Sequence, residues 1–169
     1  MNEIQGLESF GIGDNFEMAV SKLERDLRAI ADGRDIVCGS EDKPVVNDLE
    51  ELPIDHFFME GVYVRRMIMY RGQLVIGHIH KHKHMCFLLK GHVSVASRIG
   101  VVEHKAPCYF ISDPGEKRVV YAHEESHWYN THKNPTNTED VDELERATVA
   151  FSYEEYNKYK KEQDEKRRG

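Results

Sequence analysis

Four histidines alternate with other residues in the middle of the chain, at His78, His80, His82 and His84. Side chains on a β-strand point alternately to opposite faces, so a regular strand here would place all four imidazoles on one face. Two of the intervening residues are lysines, which is not the alternation of an ordinary core strand. Imidazole is the commonest metal ligand among side chains. The alternation therefore predicts a metal site, with a solvated strand as the simpler alternative.

The region around the histidines, residues 57–134, predicts an all-β domain. Short runs rich in valine, isoleucine and aromatic residues alternate with turn signals such as Arg71-Gly72-Gln73, Gly91-His92 and Asp113-Pro114-Gly115. The longest run, from Leu74 to Leu89, predicts one long strand with a bend near Lys83. Strands at this even spacing are typical of a β-sandwich or barrel.

Helices are predicted on both sides of the β-rich region. Near the N-terminus, an N-cap at Asp14 and a C-cap at Gly33 bracket apolar residues at helical spacing: Phe16, Val20, Leu23, Leu27 and Ile30. Residues 34–56 predict a loop. Beyond Pro135 we expect a short acidic helix over 138–145 and a final helix with a stripe of Tyr153, Tyr156 and Tyr159. The expected organisation is an N-terminal helix and loop (1–56), a barrel (57–134) and a helical extension (135–169).

Composition excludes several classes of function. The formal net charge is −7, with 23 basic and 30 acidic residues, so nucleic acid is not an expected partner. No apolar run approaches the ~20 residues that span a bilayer, and no secretory signal is expected at the N-terminus. The three cysteines form no CxxC pair, which favours reduced thiols in the cytoplasm.

The histidine segment resembles the first signature of the cupin superfamily. That signature has a glycine, five residues, His-x-His, three or four residues, an acidic residue, six residues and a glycine. Gly72, His78-Ile79-His80, His84 and Gly91 fit this frame, with His84 where the family usually has glutamate. The resemblance implies an all-β cupin jelly-roll barrel that holds a divalent transition metal such as Zn, Fe, Ni or Mn.

The second cupin signature is matched more weakly. Asp113-Pro114-Gly115 resembles its turn, but the position of its fourth ligand falls on Arg118, which stays protonated and cannot bind a metal. Trp128, Asn130 and His132 alternate on the following strand, so His132 can replace that ligand. The predicted metal ligands are therefore His78, His80, His84 and His132.

Five further residues are expected beside the metal or its ligand: Tyr70, His82, Arg118, Tyr121 and Trp128. No general base is obvious, and Glu60 and Glu103 are candidates. The remaining histidines are expected to be structural or on the surface, with His92, His104, His123 and His127 exposed.

Three functions stay open at this point. The first is a metal-binding protein that holds a small molecule or an anion in the barrel. The second is a metal-dependent enzyme of dioxygenase, isomerase or hydrolase type. The third is a phage accessory or structural component with a structural metal, because residues 106–128 also look like small single-domain cupin-like proteins of phage and bacterial genomes that lack an assigned function. The resemblance further implies a homodimer, in the host cytoplasm if the protein is phage-encoded.

Overall fold

A computed structural model describes residues 14–30, 36–38 and 52–168. Its elements in chain order are α1 (Asp14–Ile30), β1 (Ile36–Cys38), β2 (Ile54–Met59), β3 (Gly61–Met69), β4 (Leu74–Ile76), β5 (Ile79–His80), β6 (His84–Lys90), β7 (His92–Ser97), β8 (Gly100–Lys105), β9 (Cys108–Ser112), β10 (Val119–Ala122), β11 (Ser126–Asn134), α2 (Val141–Thr148), β12 (Val149–Ala150) and α3 (Tyr153–Arg168).

Two five-stranded sheets form a jelly-roll barrel. The first sheet has the order β1-β4-β10-β7-β8, and the second has the order β2-β3-β11-β6-β9. Eight barrel strands remain when β1, β2 and the short strands β5 and β12 are set aside. The first, eighth, third and sixth of them (β3-β11-β6-β9) form one sheet in that order. The second, seventh, fourth and fifth strands form the other sheet. This is the strand order of two Greek keys folded into a jelly roll, and the predicted jelly-roll barrel is confirmed.

The barrel interior is filled by side chains from both sheets. Met69, Leu88 and Val93 are fully buried there, and Trp128 is nearly so. These residues point inward because they occupy alternate positions along their strands. The interior is therefore a packed apolar core at one end and, as described below, a cavity at the other.

Helix α1 covers the outer face of the first sheet. Phe16 and Val20 are fully buried against Ile76, Ala96 and Val119. The predicted N-terminal helix is confirmed, and its apolar face packs on the barrel. Gly33, the predicted C-cap, lies outside the described residues. The side chains of Ile30 and of Asp14, the predicted N-cap, also lie outside what the structure describes.

The long strand predicted from Leu74 to Leu89 is wrong, because the chain forms three separate strands there. β4 ends at Ile76, and β5 leaves the barrel sheets to pair with β12. The backbone of Lys81 bonds the carbonyl of Thr148 at 2.8 Å, so the C-terminal extension satisfies the hydrogen bonds of this segment. The segment predicted as a loop, 34–56, contains β1 and the start of β2.

The C-terminal extension packs on the barrel through both predicted helices. Asp140 caps α2 by accepting a hydrogen bond from the backbone of Glu143, and Leu144 is buried beneath the helix. On α3, the ring of Tyr159 meets the ring of His82 edge-on at 5.8 Å between centroids. No helix within residues 14–30, 36–38 and 52–168 is long and apolar enough to cross a membrane.

Candidate metal centre and cavity

His80, His84 and His132 converge inside the barrel. One ring nitrogen from each residue lies within 4.8 Å of the corresponding nitrogens of the other two. The ring centroids are 4.0 Å apart for His80 and His84, 4.7 Å for His84 and His132, and 5.3 Å for His80 and His132. Small movements of the rings would bring three nitrogens onto one transition-metal ion, for which bonds are about 2 Å.

Strand register accounts for this convergence. Thr131 on β11 pairs with Met85 on β6, so His132 and His84 are neighbours on the inner face of the second sheet. His80 reaches them from β5, where its carbonyl accepts a hydrogen bond of 2.8 Å from the backbone of Gly115. The turn at Asp113-Pro114-Gly115 therefore anchors the third histidine.

Burial keeps the three imidazoles neutral. It is the main cause that lowers the pKa of His84 to about 4 and the pKa of His132 to about 3. Burial, together with the neighbouring His84 and His132, also holds the pKa of His80 well below its usual range. Neutral imidazoles carry the lone pair that a metal requires, and their protonated forms do not.

Hydrogen bonds orient one ligand and leave another nitrogen unpaired. The Nδ1 atom of His84 lies 3.2 Å from the carbonyl oxygen of His82, to which it donates as the Nδ1–H tautomer. This tautomer directs the lone pair of Nε2 into the site. The Nδ1 atom of His80 is buried and has no hydrogen-bond partner among the residues that the structure describes. Buried polar atoms are normally paired, so this nitrogen fits a site for a metal.

The inward side chains of the second sheet form three rows across the strands. Tyr63 pairs with His132 in the row nearest the metal centre. Arg65 pairs with Asn130 in the next row, where Cys86 is the neighbour of Asn130 on the other side. Met67 and Trp128 pair in the last row. Polarity therefore falls steadily from the histidines toward the apolar end of the barrel.

A thiol lies directly beside the candidate metal centre. The sulfur of Cys86 is 3.4 Å from Nε2 of His84. Burial raises the pKa of Cys86 to about 12, so the group is a neutral thiol rather than a thiolate.

A cavity of about 280 Å³ opens beside the metal centre. His80 and His132 line one end, and Met67, Val120 and Trp128 line the apolar end. The indole of Trp128 donates a hydrogen bond of 2.8 Å to Oδ1 of Asn130, which fixes both side chains. The volume is close to that of a pocket for a small organic molecule.

Two arginines face this cavity in different states. Arg118 donates a hydrogen bond of 2.7 Å to Ser112 and forms an ion pair with Glu116, so its charge is balanced. Arg65 makes no hydrogen bond or ion pair with any residue in the described part of the chain. Burial lowers the pKa of Arg65, although a guanidinium remains charged under physiological conditions. The cavity therefore contains a guanidinium that can bind an anion, although the carboxylate of Glu145 also lines the cavity and interacts electrostatically with Arg65.

The structure separates two of the predicted histidines from this cluster. Strand structure is interrupted between β4 and β5 and again between β5 and β6. The four imidazoles therefore do not share one face. His78 lines the cavity, but its Nε2 lies 3.5 Å from a carboxylate oxygen of Glu145 on α2. His82 is exposed and contacts Tyr159.

Of the other residues predicted beside the site, some line the cavity and others do not. Arg118 and Trp128 line the cavity. Tyr70 is an exposed residue next to a turn, and Tyr121 packs in the cluster beneath α1, so neither lies at the cavity. Glu60 is exposed on the turn between β2 and β3 and does not line the cavity.

Several residues of the cavity were not predicted from the sequence. The sequence signal for Arg65 is its place between Tyr63 and Met67 in the alternation of β3. Tyr63 and Met67 are buried, so Arg65 faces the same inner side of the sheet. His56 accepts or donates a hydrogen bond of 2.7 Å with the hydroxyl of Tyr63. Glu145 comes from α2, and nothing in the sequence pattern links that helix to the barrel interior.

The histidines expected to be exposed are half-buried. His104 stacks on Phe110, and His127 lies 3.0 Å from a carboxylate oxygen of Glu125. His92 and His123 stack on each other with 4.3 Å between ring centroids. Imidazole rings accept such intermediate positions because one edge is polar and the faces are not.

Comparisons with known proteins match the fold only. No protein-family model matches the sequence, and no curated protein matches it. An RmlC-like cupin from Shewanella frigidimarina is 13% identical, covers 56% of this chain and 85% of its own, and has a TM-score of 0.46. KdgF from Halomonas sp. is 12% identical over 52% of this chain and 84% of its own, with a TM-score of 0.45. An oxalate decarboxylase from Lactobacillus farciminis is 11% identical over 53% of this chain and 30% of its own, with a TM-score of 0.43. At these values the fold assignment depends on the strand order of this chain itself.

Proposed function

We propose that the protein binds a divalent transition metal through His80, His84 and His132, and that it holds a small anionic molecule beside that metal. The observation that carries the proposal is the convergence of three neutral imidazoles at a cavity that also contains the guanidinium of Arg65, which has no ion-pair partner among the described residues. Imidazole nitrogens suit Zn, Fe and Ni, and they also accept Mn.

A site with three imidazoles would carry the full positive charge of the metal, because none of its ligands is a carboxylate. When bound, the metal would supply a Lewis-acid centre with room for an oxygen ligand from the cavity. An anionic ligand balances both this charge and the charge of Arg65, although the protein as a whole is negative. The excess positive charge of the site is therefore local.

The three rows of side chains support a particular shape of ligand. An acidic group fits between the metal centre and Arg65, which can donate two parallel hydrogen bonds to a carboxylate. An apolar portion fits against Met67 and Trp128. The proposed ligand class is a small carboxylic acid with an apolar end.

Elemental analysis of protein purified without a polyhistidine tag tests the metal proposal. We expect His80→Ala and His84→Ala each to hold one equivalent of metal fewer than the wild type. His82→Ala is the matched control, because His82 belongs to the same sequence pattern but is exposed and outside the cluster. A metal content in His84→Ala equal to that of the wild type, or a lower content in His82→Ala, would overturn the assignment.

A metal-dependent enzyme is the second candidate, and one observation favours it. The hydroxyl of Tyr63 is hydrogen-bonded to Nδ1 of His56, and the ring of Tyr63 is stacked near His132. Such a pair can hold or move a proton at the edge of the cavity. Small carboxylic acids incubated with metal-loaded protein and followed by NMR would reveal turnover. Turnover that Tyr63→Phe abolishes while binding persists would establish the enzyme, and binding without turnover would exclude it for those acids.

The homodimer and the cellular location stay predictions. Leu89, Tyr109 and Ile111 form an exposed apolar surface on the outer face of β6 and β9, which supports contact with a second copy. Light scattering on wild type and Ile111→Lys would test it, because a monomeric wild type would contradict the dimer.

Cys86 and Cys108 are free thiols, which supports the predicted reducing cytoplasm. Phage origin has its support in the sequence resemblance alone.

A further inference from the structure

A second group of potential metal ligands lies on the outside of the barrel. One ligand atom each from His92, Glu103 and His123 lies within 4.8 Å of the corresponding atoms of the other two. His92 is on β7, Glu103 is on β8, and His123 directly follows β10. These strands are adjacent in the first sheet, so the fold brings together residues that are distant in sequence.

Strand alternation places this group on the face opposite the cavity. Val93 and Val95 on β7 point into the barrel core. His92 and Ser94 therefore point to the outer face. Glu103 is opposite Ser94 in the register of β7 and β8, so it shares that face. The group is separate from His80, His84 and His132 and shares no residue with them.

The side chains of this group contact one another and a buried serine. His92 Nε2 lies 3.1 Å from a carboxylate oxygen of Glu103, and the rings of His92 and His123 are stacked at 4.3 Å. Ser94, which is 1% exposed, lies with its hydroxyl 2.7 Å from Nε2 of His123. A buried hydroxyl that holds one imidazole nitrogen orients the ring in the manner of an outer-sphere partner of a metal ligand.

We propose that His92, Glu103 and His123 form a second binding site for a divalent transition metal of the Zn²⁺ type. Two imidazoles and one carboxylate are a ligand set that Zn²⁺ binds, with the remaining position open to water. A half-buried location gives exchange with solvent, and the carboxylate reduces the net charge of the bound ion. Lys105 on β8 is paired with His92 on β7. Lys105 is exposed and can keep its ammonium group in solvent.

Metal at this position would cross-link β7, β8 and the end of β10. Binding to the folded state alone stabilises a protein by mass action, so Zn²⁺ should raise the unfolding temperature through this site as well as through the interior one. The site would thus stabilise the first sheet independently of any ligand in the cavity.

A Zn²⁺ titration in competition with a chelating dye tests the proposal. We expect the wild type to bind one more equivalent of Zn²⁺ than His123→Ala and His92→Ala. Glu103→Gln keeps a polar group of the same size, and we expect its affinity at this site to fall at least about tenfold, since loss of an outer-sphere partner alone has that effect. Titration of His84→Ala, with and without His123→Ala, isolates the outer site from the interior one.

His127→Ala is the matched control. His127 makes a similar contact of 3.0 Å with Glu125, but the same carboxylate oxygen also pairs with Lys90 rather than with a second histidine. The variant His127→Ala should therefore bind as many equivalents of Zn²⁺ as the wild type. An unchanged number of equivalents in folded His123→Ala and Glu103→Gln would overturn the proposal and leave His92 and Glu103 as a hydrogen-bonded pair only. Circular dichroism establishes that each variant is folded.

Discussion

Arg65 and Arg66 are consecutive on β3, yet their guanidinium groups occupy opposite environments. Arg66 pairs with Asp55 across β2 at 2.6 Å on the outer face of the sheet. Arg65 points into the cavity and makes no ion pair within the described part of the chain. One step along a strand thus separates an ordinary surface ion pair from a buried charge that is available to a ligand.

Replacement of Arg65 should weaken binding of small carboxylic acids. Hydrogen bonds to charged groups contribute about 1.5–3 kcal/mol, so Arg65→Met should lose roughly 10–100-fold in affinity. Calorimetry on metal-loaded protein measures this loss. Arg66→Met removes the same charge from the other face and should bind like the wild type. Equal losses in the two variants would point to a general charge effect instead of a contact.

Acid should destabilise the metal-free protein. The pKa of His84 and the pKa of His132 are lowered in the folded state to about 4 and about 3, while unfolded histidine titrates near 6.5. The unfolded state therefore binds more protons as the pH falls below 6.5, and stability is lost progressively down to the folded pKa values. The shift at His84 corresponds to on the order of 3 kcal/mol.

Urea unfolding with a chelator present, from pH 7 to pH 4, measures this dependence. His84→Gln removes one titrating group and should show a shallower decline in the free energy of unfolding. A decline equally steep in His84→Gln would assign the acid sensitivity to other groups.

The two glycines that frame the histidine signature should respond differently to alanine. A Cβ at Gly91 would overlap the hydroxyl of Ser126 and lie 2.5 Å from the carbonyl oxygen of Glu125, and Gly91 has φ +94°. Gly72 has φ +88°, but a Cβ there would meet no atom within 4 Å. Gly72→Ala should cost about 1–2 kcal/mol from backbone strain alone. Gly91→Ala should cost about 3 kcal/mol or more, as measured by urea unfolding. Similar costs for both would mean that the turn at Gly91 relaxes.

Leu144 should hold α2 over the cavity. Its side chain is 3% exposed, and α2 contributes Val141, Glu145 and Thr148 to the cavity wall. Leu144→Ala should lower the stability of the helix by about 2 kcal/mol or more and speed hydrogen exchange of its amides. Arg146→Ala, an exposed change on the same helix, should alter stability by no more than about 0.5 kcal/mol. Unchanged exchange in Leu144→Ala would show that other contacts hold the helix.

The barrel and both flanking helical regions were predictable because their signals are local. Turn glycines, strand alternation and the apolar stripe of Phe16 and Val20 each depend on neighbours within a few residues. His80 and His84 were identified as candidate ligands from the spacing of one signature. The long strand and the shared face for all four histidines were not correct, since the pairing of β5 with β12 depends on residues about 70 positions away.

The sequence by itself determined which residues are capable of metal chemistry, the class of fold and the local elements. The tertiary structure decided which of those residues meet. His132 joins His80 and His84 because β11 lies beside β6, whereas His78 turns to Glu145 on a helix from the other end of the chain. It also revealed Arg65 in the cavity and the outer group of His92, Glu103 and His123. Convergence of side chains is a property of strand order and register, and these follow from packing of the whole barrel, which no short segment specifies.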